Sequence, residues 1–139
     1  IEPVGRMDKT TTGLLLFTND ATIVTKFTSP NQRSTKLYQV SLDKNLKFED
    51  LEKINKGLTL DGHRVFVEDV SYIEGEAKSE IGLQLRSSNV KVVRSIFEHF
   101  SYDVLRIDRV SFAGLTKKNL PRGNWRLLTE QEIINLKNV

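Results

Sequence analysis

The feature that most constrains the fold is the stretch at residues 5–20, where a polar segment runs directly into an apolar one. The apolar run is Leu14 to Phe17, with Gly13 before it and Asn19-Asp20 after it. An apolar run this short, bounded by turn residues, predicts a buried strand over Leu14–Thr18. The side chain of Asp20 predicts the cap of a following helix.

The polar half of this stretch is harder to explain as structure. Arg6, Asp8 and Lys9 precede three threonines and lie directly against the predicted core strand. A carboxylate held at the edge of a core strand, with hydroxyls and an arginine beside it, is a candidate active-site aspartate. An aspartate near a strand is more often a solvated loop charge, since charged residues are mostly exposed. The residues alone leave both interpretations open.

The composition describes one ordinary globular domain. The chain has 139 residues, of which 28% are charged and 38% hydrophobic, which is enough to bury a core. It has no cysteine, which excludes disulfides and thiolate chemistry, and its two histidines, His63 and His99, stand far apart. We therefore expect no metal site. The sequence has neither a long apolar run nor a signal-peptide pattern, so we also expect no membrane span and no signal peptide.

Basic residues are concentrated in the second half of the chain. Residues 86–126 contain nine lysines and arginines against three acids. Such a surplus favours a polyanion such as RNA, because neutralising phosphates releases their counterions. An uneven but merely solvated surface explains the charge count equally well.

The hydrophobic pattern predicts an α+β fold with a mixed, mainly antiparallel sheet flanked by helices. The predicted strands are Leu14–Thr18, Leu37–Leu42, Arg64–Ile73, Ile81–Arg86, Tyr102–Phe112 and Trp125–Leu128. The predicted helices cover Ala21–Thr28, a segment from Phe48 that stops at Gly57, a segment from Val90 to about Phe100, and a last one that a capping box at Thr129 opens. Residues 31–36, 74–79 and 114–123 are predicted loops.

The polar and apolar halves of the first stretch together resemble a known signature. Its sequence contains Gly5-Arg6-Met7-Asp8, then Thr11-Thr12-Gly13-Leu14-Leu15-Leu16 and Thr18-Asn19-Asp20. This is similar to the signature G-R-L-D-x-x-T-x-G-L-L-L-x-T-N-D of the RsuA-type family of ribosomal RNA pseudouridine synthases. The match is long and nearly free of gaps, which makes it far more specific than a lone glycine motif.

Three later segments extend the resemblance over nearly the whole chain. Lys36-Leu37-Tyr38 resembles the family's K-x-Y element, and residues 92–98 resemble its R-Q-I-R-R-M-F-E helix, with Arg94 at the first arginine of the pair. Lys91, Val92 and Ser95 depart from that helix pattern. Residues 104–132 resemble the closing segment, where Trp125 is expected to belong to the core more readily than to a platform for a base.

The resemblance implies a catalytic role for three residues. Asp8 is expected to act on the ribose, Arg94 to pair with Asp8, and Tyr38 to stack on a flipped uracil. A tyrosine on a strand is usually a core residue, so the pattern alone does not decide the role of Tyr38. The acceptor for Arg94 is expected to be Asp8, although Glu98 on the next helical turn is the local alternative.

The resemblance also implies a substrate and a setting. The expected RNA contacts are Arg6, which would also fill the gap left by the flipped base, together with Lys9, Thr11, Thr12, Lys36, Lys91, Lys117, Lys118 and Arg122. The expected reaction is isomerisation of specific uridines in ribosomal RNA by a cytoplasmic monomer that needs neither cofactor nor metal. Because relatives carry an S4-type domain, we expect residues 1–139 to be one catalytic domain of a longer chain.

Two other functions are compatible with parts of the sequence. A non-catalytic RNA-binding module of the same fold would explain the altered arginine helix, but it has no need of Asp8. A glycosidase-like hydrolase would need paired carboxylates, and the motif supplies only one.

Overall fold

The computed structural model describes residues 1–5, 7–29, 34–87 and 89–139. Arg6, Pro30, residues 31–33 of the loop predicted at residues 31–36, and Ser88 lie outside the described residues. The described chain forms four helices and ten strands. The helices are α1 (Ala21–Thr28), α2 (Phe48–Asn55), α3 (Val90–Glu98) and α4 (Glu130–Lys137). The strands are β1 (Glu2–Pro3), β2 (Thr11–Gly13), β3 (Phe17–Thr18), β4 (Lys36–Leu42), β5 (Leu58–Leu60), β6 (His63–Val65), β7 (Asp69–Tyr72), β8 (Glu80–Leu85), β9 (Val104–Phe112) and β10 (Leu115–Thr116).

A six-stranded sheet organises the molecule. Five strands follow the order β10-β9-β4-β8-β7, every neighbouring pair being antiparallel. The short strand β2 adds to β9 in parallel and makes the sheet mixed. Two small antiparallel pairs, β1 with β3 and β5 with β6, stand apart from it. The predicted α+β architecture with a mixed, mainly antiparallel sheet is confirmed.

Helix α3 covers the buried face of the sheet. Strands β4 and β8 alternate between buried and less buried residues, as strands with one face on a core do. The buried residues of α3 are spaced on one helical face and join the same core: Val90, Val93, Ile96 and Phe97. Asn89 caps the helix by accepting a hydrogen bond from the amide of Lys91 at 3.0 Å. Arg94, on the flank of this buried face, lies beside the loop before β2.

The predicted strand Leu14–Thr18 is wrong over its first three residues, whereas Phe17–Thr18 does form a strand, β3. The chain pairs with β9 only as far as Gly13, which has a φ of +103°, and resumes pairing at Phe17 against β1. Leu14 and Leu16 still pack in a second hydrophobic cluster, but Leu15 and Phe17 are exposed. An apolar run predicts that its side chains are buried but does not determine the conformation of the backbone. Here the backbone turns at Gly13 and leaves the strand.

Two other predicted strands also need correction. The segment Arg64–Ile73 contains two strands, β6 and β7, with a break between them. Residues 125–128 form no strand, and Trp125 is 81% exposed, so the expectation that it belongs to the core was wrong. Helix α1 has the predicted bounds, and the capping box at Thr129 is present with Glu132.

Candidate active site

Asp8 lies in the tight loop between β1 and β2, where the threonines after it hold its carboxylate. Its Oδ1 atom accepts hydrogen bonds from the Thr10 amide at 2.9 Å, the Thr10 hydroxyl at 2.8 Å and the Thr11 hydroxyl at 2.7 Å. The carbonyl of Asp8 accepts a further bond from the Thr11 amide at 3.1 Å. Side chains that fold back onto the local backbone in this way are typical of aspartate in turns. The carboxylate is therefore fixed in one orientation.

Arg94 reaches Asp8 from helix α3. Its Nη2 atom lies 3.2 Å from Asp8 Oδ2 and also donates to the hydroxyl of Thr10, while Nη1 donates to the carbonyl of Val104 at 3.1 Å. The contact predicted between Arg94 and Asp8 is confirmed. Among the described residues, the carboxylate that Arg94 meets is that of Asp8, so the local alternative at Glu98 is not adopted.

These contacts keep Asp8 ionised while it stays accessible. Hydrogen bonds from Thr11, then from the hydroxyl and amide of Thr10 and from Arg94, lower the pKa of Asp8 from 3.8 to about 2, although burial opposes them. The Asp8 side chain is still 38% exposed. A carboxylate with so low a pKa is a weak proton acceptor but a permanently charged one at neutral pH. The arrangement suits an anion that attacks, or stabilises a cation, at an open site.

Tyr38 lies under the sheet surface rather than at an open face. It belongs to the main hydrophobic cluster, has 0% exposed surface, and donates its hydroxyl to the Ser87 carbonyl at 3.1 Å. Burial raises the pKa of the Tyr38 hydroxyl. The predicted stacking on a base stays a prediction, and it requires the ring to be uncovered.

Lys36 is the predicted RNA contact that the structure contradicts. Its side chain is 0% exposed, and its ammonium donates to the Ser34 carbonyl at 3.1 Å, the Ser34 hydroxyl at 2.9 Å and the Arg86 carbonyl at 2.8 Å. It also lies over the ring of Phe112, 5.2 Å from the centroid. Burial, and then the charge of Arg109, lower its pKa from 10.5 to about 8. An ammonium enclosed in this way cannot reach a phosphate.

Comparison with known proteins assigns the chain to a family. The sequence profile of the family described as RNA pseudouridylate synthase matches residues 1–119. The chain belongs to this family. That membership confirms the resemblance found in the sequence, while the catalytic role of Asp8 stays a prediction.

Individual relatives agree with that assignment. The chain is 29% identical over 134 residues to the dual-specificity RNA pseudouridine synthase RluF of Escherichia coli K12, covering 96% of this chain and 45% of the relative. It is 29% identical over 140 residues to ribosomal large subunit pseudouridine synthase B of Bacillus subtilis 168, covering 99% of this chain and 57% of the relative. A crystal structure of a pseudouridylate synthase superposes with a TM-score of 0.80 at 25% identity, over 96% of this chain and 58% of that one. The chain thus spans about half the length of these relatives.

The remaining predicted RNA contacts of this pseudouridylate synthase family member are spread over its surface. Lys9, Lys91, Lys117, Lys118 and Arg122 are exposed, whereas Thr11 and Thr12 are partly buried. Lys117 forms an ion pair with Asp108, which lies opposite Thr12 in the pairing of β2 with β9. The Thr11 hydroxyl donates to Asp8. Arg6 lies outside the described residues. The structure therefore groups Lys9, Thr12 and Lys117 near the Asp8 loop, and their role in binding RNA stays a prediction.

Two residues of the site were missed by sequence reasoning. Thr10 contacts both Asp8 and Arg94, and its only signal was its place in the run of threonines after the aspartate. Arg109 was counted in the basic surface, but it is fully buried, and its Nε and Nη2 donate to the Leu14 carbonyl at 3.0 Å and 2.8 Å. No sequence pattern distinguishes such a buried arginine from an exposed one on the same strand.

The described residues lack two further kinds of arrangement. No group of three or more His, Asp or Glu side chains among them is placed to hold a metal ion. Within the same part of the chain, no helix is long and apolar enough to cross a membrane.

Proposed function

We propose that the chain isomerises specific uridines to pseudouridine in ribosomal RNA, with Asp8 acting on the ribose. The observation that carries the proposal is the Asp8 carboxylate itself, which is ionised, fixed by three donors on Oδ1 and still open to solvent. The names of the relatives, which specify pseudouridine synthases and in one case the large ribosomal subunit, support the substrate class.

The reaction exchanges one bond for another without any redox change. The bond from uracil N1 to ribose C1′ breaks, the base turns, and C5 bonds to C1′ in its place. The proton on C5 then leaves, and N1 takes up a proton. Asp8 can attack the sugar as a nucleophile or accept a proton. With a pKa of about 2, attack by the anion is the role that its environment favours.

Arg94 and Tyr38 have supporting roles in this proposal. Arg94 keeps the carboxylate ionised and aimed through its contact at 3.2 Å. Tyr38 stacks on the flipped uracil once the segment at Ser87, whose carbonyl now accepts its hydroxyl, moves aside. Such a movement would be driven by entry of the base, since stacking on an aromatic ring is worth about 1–3 kcal/mol.

RNA is held by the exposed basic residues in this proposal. Lys9 and Lys117 lie near the Asp8 loop, and Lys91, Lys118 and Arg122 extend the positive surface. We further propose that residues 1–139 act as one catalytic domain, that the domain is monomeric and cytoplasmic, and that the reaction needs no cofactor. Each of these statements rests on the family and on the site alone.

The proposal is tested by tritium release from ribosomal RNA transcripts that carry C5-labelled uridine. The wild-type chain is expected to release tritium, and Asp8→Asn, which is nearly isosteric, is expected to release none while its thermal unfolding is that of a folded domain. Mapping pseudouridine in ribosomal RNA from cells with and without the gene identifies the site. RNA binding without release above the Asp8→Asn background would instead support a non-catalytic RNA-binding module.

A further inference from the structure

The hydroxyl of Thr10 lies between the two charged groups of the site. It donates to Asp8 Oδ1 at 2.8 Å and accepts from Arg94 Nη2. We propose that Thr10 is a positioning residue that locks the Asp8 carboxylate against Arg94 and leaves Oδ2, the oxygen that Arg94 contacts, with a lone pair to act on the ribose. This inference rests on the proposed function, since it concerns how Asp8 is presented to its substrate.

The direction of the hydrogen bonds at Thr10 follows from the chemistry of its two partners. An ionised carboxylate only accepts hydrogen bonds, and a guanidinium only donates them. The single proton of the Thr10 hydroxyl therefore goes to Asp8, and a lone pair of the same oxygen faces Arg94. A hydroxyl is the smallest side-chain group that can serve both partners at once, and a methyl group in its place serves neither.

The two oxygens of Asp8 consequently differ. Oδ1 receives three hydrogen bonds, from the amide and hydroxyl of Thr10 and the hydroxyl of Thr11, which exhausts the lone-pair directions that a carboxylate oxygen offers. Oδ2 has Arg94 at 3.2 Å as its protein partner. Oδ2 thus keeps a lone pair available, and we assign it as the oxygen that meets the sugar.

The backbone of Thr10 ties this arrangement to the core. Its carbonyl accepts a hydrogen bond from the amide of Ile107 at 3.1 Å, and Ile107 is a fully buried residue of β9. Its amide is the donor to Asp8. Threonine is also β-branched, which restricts its χ1 angle and so limits where the hydroxyl can point. Strand β9 therefore fixes the position from which Thr10 orients the carboxylate.

Thr10 differs in this respect from its neighbour Thr11. The hydroxyl of Thr11 donates to Asp8 at 2.7 Å, whereas that of Thr10 joins Asp8 to Arg94. In the signature that the chain resembles, the position of Thr10 is one of the two unspecified residues between the aspartate and the threonine. The signature therefore does not specify the bridge, which the structure shows in this chain.

The test compares Thr10→Val with Thr10→Ser. Valine keeps the shape and the amide but removes the hydroxyl, while serine restores the hydroxyl. We expect Thr10→Val to lower kcat for tritium release by roughly 10-fold to 100-fold, as the loss of a hydrogen bond to a charged group does, with KM changed less than about twofold. Thr10→Ser should recover most of kcat. Thr25→Val is the matched control, because the Thr25 hydroxyl donates to a backbone carbonyl of its own helix, that of Ala21 on α1.

A second readout does not depend on catalysis. The pKa of the Asp8 carboxyl, followed by NMR titration, should rise in Thr10→Val and return towards the wild-type value in Thr10→Ser. If the wild-type chain released no tritium, the proposed function would fail, and the titration would still decide the role of Thr10. If Thr10→Val does not fold, Thr10→Ala serves in its place. An unchanged Asp8 pKa together with unchanged kcat, or a Thr10→Ser variant as impaired as Thr10→Val, overturns the proposal.

Discussion

Arg109 and Leu14 bind each other through both main chain and side chain. The amide of Leu14 donates to the Arg109 carbonyl at 2.9 Å, and the Arg109 guanidinium donates through Nε and Nη2 to the Leu14 carbonyl at 3.0 Å and 2.8 Å. Strand β9 thereby holds the chain immediately after the loop that carries Asp8. The close approach of the two backbones at this point depends on the residue before Leu14.

That residue is Gly13, and we expect Gly13→Ala to be strongly destabilising. A β-carbon on Gly13 would lie 2.2 Å from the Arg109 carbonyl oxygen and 2.6 Å from the Arg109 nitrogen, which are backbone atoms that cannot move aside. Its φ of +103° adds strain for any residue with a side chain. Together these effects should lower the free energy of unfolding by roughly 3–5 kcal/mol, measured by urea denaturation.

Gly75→Ala is the matched control for this effect. Gly75 also has a positive φ, +81°, but a β-carbon there would meet nothing within 4 Å. Its substitution carries only the backbone strain, which costs about 1–2 kcal/mol. Equal losses of stability in the two variants would mean that the approach to Arg109 does not matter.

The elements that the sequence predicts well are those with local signals. The caps of α1, α3 and α4 come from Asp20, Asn89 and Thr129, whose side chains bond amides two or three residues ahead. The apolar face of α3 follows from spacing alone. The same spacing places Arg94 next to the buried positions of α3. Its contact with Asp8 was predicted from the family resemblance and not from the helix pattern.

The failures occur where tertiary contacts override local pattern. Lys36 and Arg109 are charged yet fully buried, Trp125 is apolar yet exposed, and the run after Gly13 is apolar without being a strand. Whether a charged side chain is buried depends on carbonyls brought to it by distant segments, such as Arg86 for Lys36, 50 residues away in sequence. The composition and the hydrophobic periodicity of a sequence do not indicate which distant residues will supply those carbonyls.

Arg94→Lys is expected to retain the fold but to lose most activity. Arg94 contacts Asp8, Thr10 and the Val104 carbonyl at the same time through two nitrogens. Lysine has one nitrogen on a flexible stem and cannot hold this fork-like arrangement. We expect kcat for tritium release to fall by about 100-fold, with a smaller change in KM.

The control for this substitution is Arg64→Lys. Arg64 lies on β6, where its guanidinium stacks over the ring of Phe66 at 5.2 Å, and it is not part of the proposed site. It should leave kcat unchanged. An Arg94→Lys variant with wild-type kcat would show that a positive charge alone is enough beside Asp8.

The buried ammonium of Lys36 makes a specific prediction about stability and pH. Burial lowers the folded-state pKa of Lys36 to about 8, against an ordinary value of 10.5. Between these values the unfolded chain binds the proton more readily than the folded one, so the free energy of unfolding rises with pH. The stabilisation is complete above pH 10.5 and is lost as the pH falls through about 8. In Lys36→Met, which has no ammonium, this rise in the free energy of unfolding should be absent, as measured by urea denaturation from pH 7 to pH 10.5.

Titration of Tyr38, whose pKa is raised by burial, contributes to both proteins and cancels in the comparison. Lys44→Met, which changes a lysine lying over the Tyr102 ring at 5.0 Å, should keep the rise. A wild-type chain and a Lys36→Met variant with parallel stability curves across this range would contradict an enclosed, proton-releasing Lys36.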